Sequence, residues 1–373
     1  MTTTTSARKE GTAFAGAARA ASYIEAPEAL AVTSAAPSAP PTTPEVDSPP
    51  VIDLIEEAGT ESEDVDLGAL SIATPDRTAQ HGLRGVLSKL GVKVAPGKAE
   101  AAAIESREQL AAYEDTVRQA TWTRAVSVLV ANPKGGVGKT PVSLMLGGAL
   151  ASIRGGSVCI IEVSDDPGAL TYRSEGSPIR GLGELVAEAD AIGSAGQLAG
   201  YTAPQSSFAA VLGSVGWRPR LDDSSVNRVV KVIDDYYAIR VMDSGNQPSS
   251  PAFTAAVTSA DVLVVPIFDA GDAALEAAQL LEGLKASGGH AADLASNAIV
   301  LRLHDGRPEH PQVVARVDRI LSSLGVTMQH SIPFDAHIAE RGQVTLAKLA
   351  PGTRHAITGA AADVVHTLQK TAR

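Results

Sequence analysis

Ala125-Val126-Ser127-Val128-Leu129-Val130, followed by Ala131-Asn132-Pro133-Lys134-Gly135-Gly136-Val137-Gly138-Lys139-Thr140, decides how the rest of the chain is read. An apolar, β-branched run breaks into glycines and re-emerges as Val142 to Ile153, apolar at helical spacing. Strand, glycine loop and helix in that order form the context that a phosphate-binding loop requires. A glycine-rich turn with no ligand is the alternative, and the Gly-Lys-Thr ending after a strand argues against it.

The residue types supply the chemistry. Gly135, Gly136 and Gly138 let backbone N–H groups turn inward, where a β-carbon would block the turn or the approach of phosphate. A helix starting near Gly138 adds the partial positive charge of its N-terminus. Lys139 can span two phosphates as a point charge, and the Thr140 hydroxyl can fill one position around Mg²⁺. Gly135, Gly136, Val137, Gly138, Lys139 and Thr140 are therefore the expected contacts to a Mg-nucleotide, with ATP and Mg²⁺ as the expected ligands.

Moving outward, 373 residues allow two domains or one domain with a long extension, and a motif at 131 favours the extension. Residues 1–75 are rich in Ala, Thr, Pro and Ser and then acidic through Glu56, Glu57, Glu61, Glu63, Asp64 and Asp66. So little apolar surface predicts a disordered tail: a plain tether, or a partner-binding segment with Val51 to Ile55 as its docking peptide. Residues 76–121 read as a basic amphipathic helical linker. Leu83, Val86, Leu87 and Leu90 lie at helical spacing beside Arg77, Arg84, Lys89 and Lys93, and a second helix spans about 99–120. That linker could contact a membrane surface or an unidentified protein partner, or simply pack on its neighbour.

From 122 to the end, apolar strands alternate with helices. Strands are expected at 157–163, 208–212, 237–242, 261–268, 298–303 and 327–332. Helices are expected from a cap at Ser224 to Asp235, and at 273–286, 312–324 and 353–370. Residues 175–205, rich in Gly and Ala, resist assignment. Continuous apolar strands separated by helices predict an α/β fold, a mostly parallel doubly wound sheet of the P-loop type. Ligands in such sheets sit at the strand C-terminal ends, where Pro133, Ser164 and Asp243 fall. Asp243, ending a buried strand opposite the loop, is the expected second holder of Mg²⁺ beside Thr140; the alternative is a segment cap.

Net charge is −11, which does not advertise indiscriminate nucleic-acid binding. The one cysteine, Cys159, lies in an apolar strand and cannot pair within the chain, so a cytoplasmic location is expected. No apolar run approaches the roughly 20 residues of a membrane span, and Met1 to Ala20 is too weakly apolar for a signal peptide.

The loop Lys134-Gly135-Gly136-Val137-Gly138-Lys139-Thr140, with proline at 133 and a second lysine at 134, resembles the deviant Walker A of the ParA/MinD (SIMIBI-class) ATPases. The resemblance extends over about 125–370, through the strand ending at Asp243 and the following Ser259 to Pro266. Ile332-Pro333-Phe334-Asp335, Ala350-Pro351-Gly352-Thr353-Arg354 and the element Gly82-Leu83-Arg84-Gly85 are similar to actinobacterial members associated with type VII secretion. The resemblance implies that Lys134 reaches across an ATP-bound homodimer to the partner's phosphates and that Pro333 and Asp335 lie at the nucleotide. It also implies that Lys134, Lys139, Asp166 and Asp243 carry the hydrolysis.

Three positions depart from the family pattern. Pro141 replaces a second threonine, losing a hydroxyl and an N–H, although a helix's first turn tolerates proline. Where those ATPases read Asp-x-Asp after the second strand, with a carboxylate that positions the attacking water, an ungapped reading gives Glu162 and Ser164. The nearest carboxylates are then Asp165 and Asp166, in a sequence that is equally an ordinary turn. Ile299-Val300-Leu301-Arg302 stands where an Asn-Arg pair often meets the base.

The expectation is a slowly hydrolysing ATPase acting as an ATP-dependent dimerisation switch for a cytoplasmic assembly, of secretion or conjugation type. One alternative is a nucleotide-gated binding module with little hydrolysis. The other is a partition ATPase that binds DNA, disfavoured because residues 300–373 carry only a slight basic bias.

Overall fold

The computed structural model describes residues 97–372. The expected tail, and the expected amphipathic helix around Leu83 to Leu90, lie outside the described residues. Helix α1 (Lys98–Gln119) leads into strand β1 (Val126–Val130), and α2 (Lys139–Arg154) follows the glycine loop. After β2 (Val158–Val163) come short helical segments at Leu170–Arg173, Leu182–Glu188 and Ala195–Ala199, then β3 (Ala203–Pro204) and β4 (Ala210–Leu212). The chain continues through α3 (Asp223–Tyr236), β5 (Ile239–Ser244), α4 (Pro251–Ser259), β6 (Val262–Phe268), α5 (Gly271–Ser287) and α6 (Gly289–Ser296). It closes with β7 (Ile299–Leu303), α7 (Pro311–Ser323), β8 (Met328–Ile332) and α8 (Pro351–Thr371).

The strands form one sheet in the order β3-β4-β2-β5-β1-β6-β7-β8. Every pairing is parallel except β3 with β4, a short edge hairpin in which Pro204 sits where no central ladder needs its missing N–H. Helices cover both faces, so the sheet is the doubly wound α/β type expected from the sequence. Period-2 alternation divides each strand between two cores. Val126, Val128 and Val130 face α1, α2 and α8, whereas Leu129 faces α3, α4 and α5. Burial of each large apolar side chain stabilises by about 1.5–3 kcal/mol before chain entropy is counted.

Two local features decide where α2 sits. A Cβ on Gly147 would lie 2.5 Å from Ile160 Cγ1, so the missing side chain lets α2 lie close on β2 and β5. At the other end Gly155, with φ 77°, terminates the helix in the left-handed region, its N–H returning to the Ala151 carbonyl. Close packing carries the first turn of α2, with Lys139 and Thr140, to the C-terminal ends of β1 and β5.

The second half of the expected linker is a packed helix. Val117 is buried in the core beneath α1, and Arg154 Nη1 donates to the carbonyls of Val117 and Ala120 at 2.7 and 3.0 Å. Tyr113 lies edge-on to His355 of α8. Among the described residues no helix is long and apolar enough to cross a membrane.

Candidate functional site

Loops following β1, β2, β5, β7 and β8 enclose a cavity of about 870 Å³ at the C-terminal edge of the sheet. Its floor is the glycine loop. Asn132, buried at the end of β1, donates from Nδ2 to the Pro266 carbonyl at 2.8 Å and accepts from the Lys134 N–H at 2.9 Å, fixing the start of the turn. Gly136 and Gly138 adopt φ of 79° and 92°, a region that an L side chain rarely enters. At Gly138 a Cβ would also meet Leu303 Cδ2 at 2.6 Å, so both conformation and space require glycine there.

Lys139 curls back over the loop. Its ammonium donates to the carbonyls of Asn132 at 2.8 Å and Lys134 at 3.1 Å, and to Asn246 Oδ1. Burial lowers its pKa to about 8, against the pull of Asp243 and Glu276. Below it, Thr140 Oγ1 donates to Asp243 Oδ2 at 2.7 Å, and the Ser143 hydroxyl lies 3.2 Å from Asp243 Oδ1. Burial pushes Asp243 up to about 7, partly offset by those hydroxyls and Lys139 and reinforced by Glu162 on the neighbouring strand.

These residues fit a Mg-polyphosphate. The threonine hydroxyl and strand-end carboxylate are hard oxygen donors suited to Mg²⁺, and the ammonium is held by neutral acceptors that an anion outcompetes. The buried carboxylate prefers neutrality here, which a divalent cation would reverse.

The other residues singled out in the sequence occupy varied positions. Pro141 lies in the first turn of α2 and lines the cavity. Val137 is buried in the loop. Lys134 turns away from the cavity, its ammonium 3.0 Å from Asp272 Oδ2 and 3.7 Å from Glu276 Oε1 on α5. Asp166 is on the rim, its carboxylate paired with Arg220 Nε at 3.0 Å and substantially exposed. The Ser164 hydroxyl donates to the Asp166 carbonyl at 2.6 Å. Pro333 and Asp335 line the opposite wall. Asp335 is buried and accepts from the N–H groups of His337 at 3.0 Å and Ala350 at 2.8 Å, clipping the end of β8 to the start of α8. Arg302 is tied to Asp269 and Asp318, and Leu303, His304 and Asp305 line the cavity after it.

The CobQ/CobB/MinD/ParA nucleotide binding domain matches residues 128–346, from β1 to the segment before α8. The chain belongs to this family. No curated protein matches it. A ParA family ATPase from Chlorobium tepidum TLS is 17% identical, covers 64% of this chain and 98% of its own, and superposes with a TM-score of 0.54, which shows a shared fold. The MinD of the Aquifex aeolicus MinC:MinD cell division complex is 20% identical over 65% of this chain and 96% of its own, with a TM-score of 0.49. MinD from Pyrococcus horikoshii OT3, solved with Mg-ADP, is 17% identical over 64% and 94%, with a TM-score of 0.46.

Within this CobQ/CobB/MinD/ParA domain, several groups at the site escape a sequence reading. Ser143, one turn beyond Lys139, carried a usable signal because i and i+4 share a helix face. Asn246 and Arg218 carried none, since each reaches its partners only through the fold.

Proposed function

We propose that this domain is a Mg-ATP-dependent ATPase working as an ATP-dependent dimerisation switch. The observation that carries the reading is the stack of Lys139 over Thr140 and Asp243 at the mouth of the glycine loop. The backbone of Gly135, Gly136, Val137, Gly138, Lys139 and Thr140 binds the phosphates, and Lys139 offsets their charge. Thr140 and Asp243 hold Mg²⁺, and Pro333 and Asp335 face the rest of the nucleotide. Bound Mg²⁺ supplies charge neutralisation for phosphoryl transfer to water, a reaction governed by positioning and electrostatics. Asp166 and its neighbours on the rim are the source of the carboxylate that orients this water.

Lys134 belongs to the dimer. Released from α5, it reaches the phosphates of a partner copy, as its resemblance to the deviant Walker A lysine implies. A second protein partner engages residues 1–75 or the basic segment around Arg84, and the assembly it belongs to is cytoplasmic. The C-terminal signature makes type VII secretion the first process to test. A nucleotide-gated module with little hydrolysis is the second reading, favoured by Pro141 and by a Ser164 hydroxyl already committed to the Asp166 carbonyl.

Binding of a fluorescent ATP analogue with Mg²⁺ tests the site. Lys139→Ala is expected to weaken binding at least a hundredfold while the chain stays folded by circular dichroism. Unchanged affinity would sink the nucleotide reading.

A further inference from the structure

A buried guanidinium outside the glycine loop organises the segment that follows β2. Arg218 lies between β4 and α3 and is 4% exposed. Its Nε donates to Ser214 Oγ at 2.7 Å, and its Nη1 to the Asp165 carbonyl at 2.8 Å and the Pro219 carbonyl at 3.1 Å. Nη2 reaches Glu162 Oε1 at 2.9 Å, the Ser164 carbonyl at 2.8 Å and the Asp166 carbonyl at 3.2 Å. Glu162, itself 2% exposed, balances the charge and accepts from the Ser214 hydroxyl as well.

Three consecutive carbonyls, those of Ser164, Asp165 and Asp166, are thus wrapped around one cation. The Leu221 N–H adds a further bond to the Asp165 carbonyl at 3.0 Å. With its carbonyls committed, the loop separates its two carboxylates. Asp166 points out to Arg220. Asp165 is 9% exposed and lines the same cavity as Lys139 and Asp243, and its carboxylate has no hydrogen bond or salt bridge among the described residues. Its Oδ1 would lie 3.4 Å from a Cβ placed on Gly245, directly after β5.

We propose that Arg218 is the positioning residue of the hydrolytic site, holding the Ser164–Asp166 loop so that Asp165 is the carboxylate presented to the attacking water. This rests on the ATPase reading above. Asp165 accepts a hydrogen bond from water. The water oxygen forms a bond to the terminal phosphorus as the bond from phosphorus to the ADP oxygen breaks, and the water's protons pass to phosphate and solvent. Nothing is oxidised or reduced. Arginine is required because lysine offers three donors from one point, and cannot reach a carboxylate, a hydroxyl and carbonyls of a loop in one plane.

The test uses the full chain. Arg218→Lys keeps the charge opposite Glu162 and removes the fork. It is expected to leave ATP-analogue affinity within about threefold, to lower kcat at least tenfold, and to speed amide exchange at 164–168 in the nucleotide-free protein at least tenfold. Asp165→Asn should lower kcat equally without changing that exchange, and the double variant should be no slower than the worse single one, because both act by one route. If Arg218→Lys does not fold, Ser214→Ala, which removes the acceptor of Arg218 Nε together with the hydroxyl that donates to Glu162, is read the same way and decides. Unchanged exchange, multiplicative losses in the double variant, or full activity in Asp165→Asn would each overturn the proposal. So would a parent that binds ATP without turnover. A parent that fails to bind the analogue instead defeats the nucleotide reading, while the exchange measurement still judges the Arg218 brace.

Discussion

Burial moves Asp243 and Lys139 toward neutrality from opposite directions. Burial raises Asp243 to about 7, well above the ordinary carboxylate value of 3.8. Between about pH 4 and 7 the unfolded chain therefore releases a proton that the folded chain keeps, and stability must fall as pH rises through that window. Thermal denaturation without nucleotide or Mg²⁺ checks this. The parent should lose melting temperature from pH 5 to 7.5, and Asp243→Asn should lose less; parallel profiles would show that Asp243 does not ionise in this range. Lys139, Thr140 and Asp243 were legible because each sits at a sequence landmark, the end of a glycine loop or of an apolar strand. Arg218 was not, because its partners Glu162 and the 164–166 carbonyls lie more than fifty residues earlier, and no local pattern announces a guanidinium that will be buried.

At the scale of elements, long apolar strands and periodic helices were readable, and short or loosely patterned ones were not. β1, β2, β5, β6, β7 and β8 fall within a residue or two of expectation; all but the edge strand β8 are buried on both faces and so are mainly apolar, whereas β8, Met328-Gln329-His330-Ser331-Ile332, alternates in exposure. Helix α3 is capped by Asp222, which accepts from the Ser225 N–H at 2.8 Å, and not by Ser224, whose hydroxyl instead donates to Asp222. Helices α4 and α6 were missed. The Ser250-Pro251 start of α4 is a visible cap signal, whereas α6 begins at Gly289, directly after Gly288, and has little periodicity. The Gly/Ala-rich stretch after 175 breaks into short helical segments whose order comes from packing on β4 and α3.

Two glycines inside helices separate propensity from packing. A Cβ added at Gly283, on the exposed side of α5, would meet nothing within 4 Å, so Gly283→Ala should stabilise by about 0.5–1 kcal/mol through helix propensity alone. Gly147→Ala gains the same propensity but drives a Cβ to 2.5 Å from Ile160, and overpacking of about 1–3 kcal/mol outweighs it. Denaturant titration should show opposite signs for the pair. Gly147→Ala should also weaken nucleotide binding, because α2 carries Lys139 and Thr140. A stabilised Gly147→Ala would mean that α2 and β2 can separate freely.

At the scale of the whole molecule, the proposed dimerisation is tested at Lys134. If this lysine completes the partner's site, Lys134→Ala should bind nucleotide almost normally yet remain monomeric in sedimentation with a non-hydrolysable ATP analogue, where the parent dimerises. The physical cause is the repulsion between facing polyphosphates, which a crossing lysine offsets at an interface of low dielectric. Equal dimerisation of the two proteins, or none in either at tens of micromolar, would reject the switch in favour of the nucleotide-gated module.

The resting contacts of that lysine set the terms of the exchange. In the single chain its ammonium is already paired with Asp272 and Glu276. Joining a second copy would therefore swap one set of ionic partners for another, with no new pairing gained from water. Salt weakens both sets, because both begin or end near solvent. Dimer strength should then respond to ionic strength far less steeply than the charge on two nucleotides suggests, and the acidic pair on α5 becomes a tuning dial. Neutralising Asp272 would favour the partner-facing lysine, whereas neutralising Glu276 would also remove a charge that supports the Lys139 ammonium.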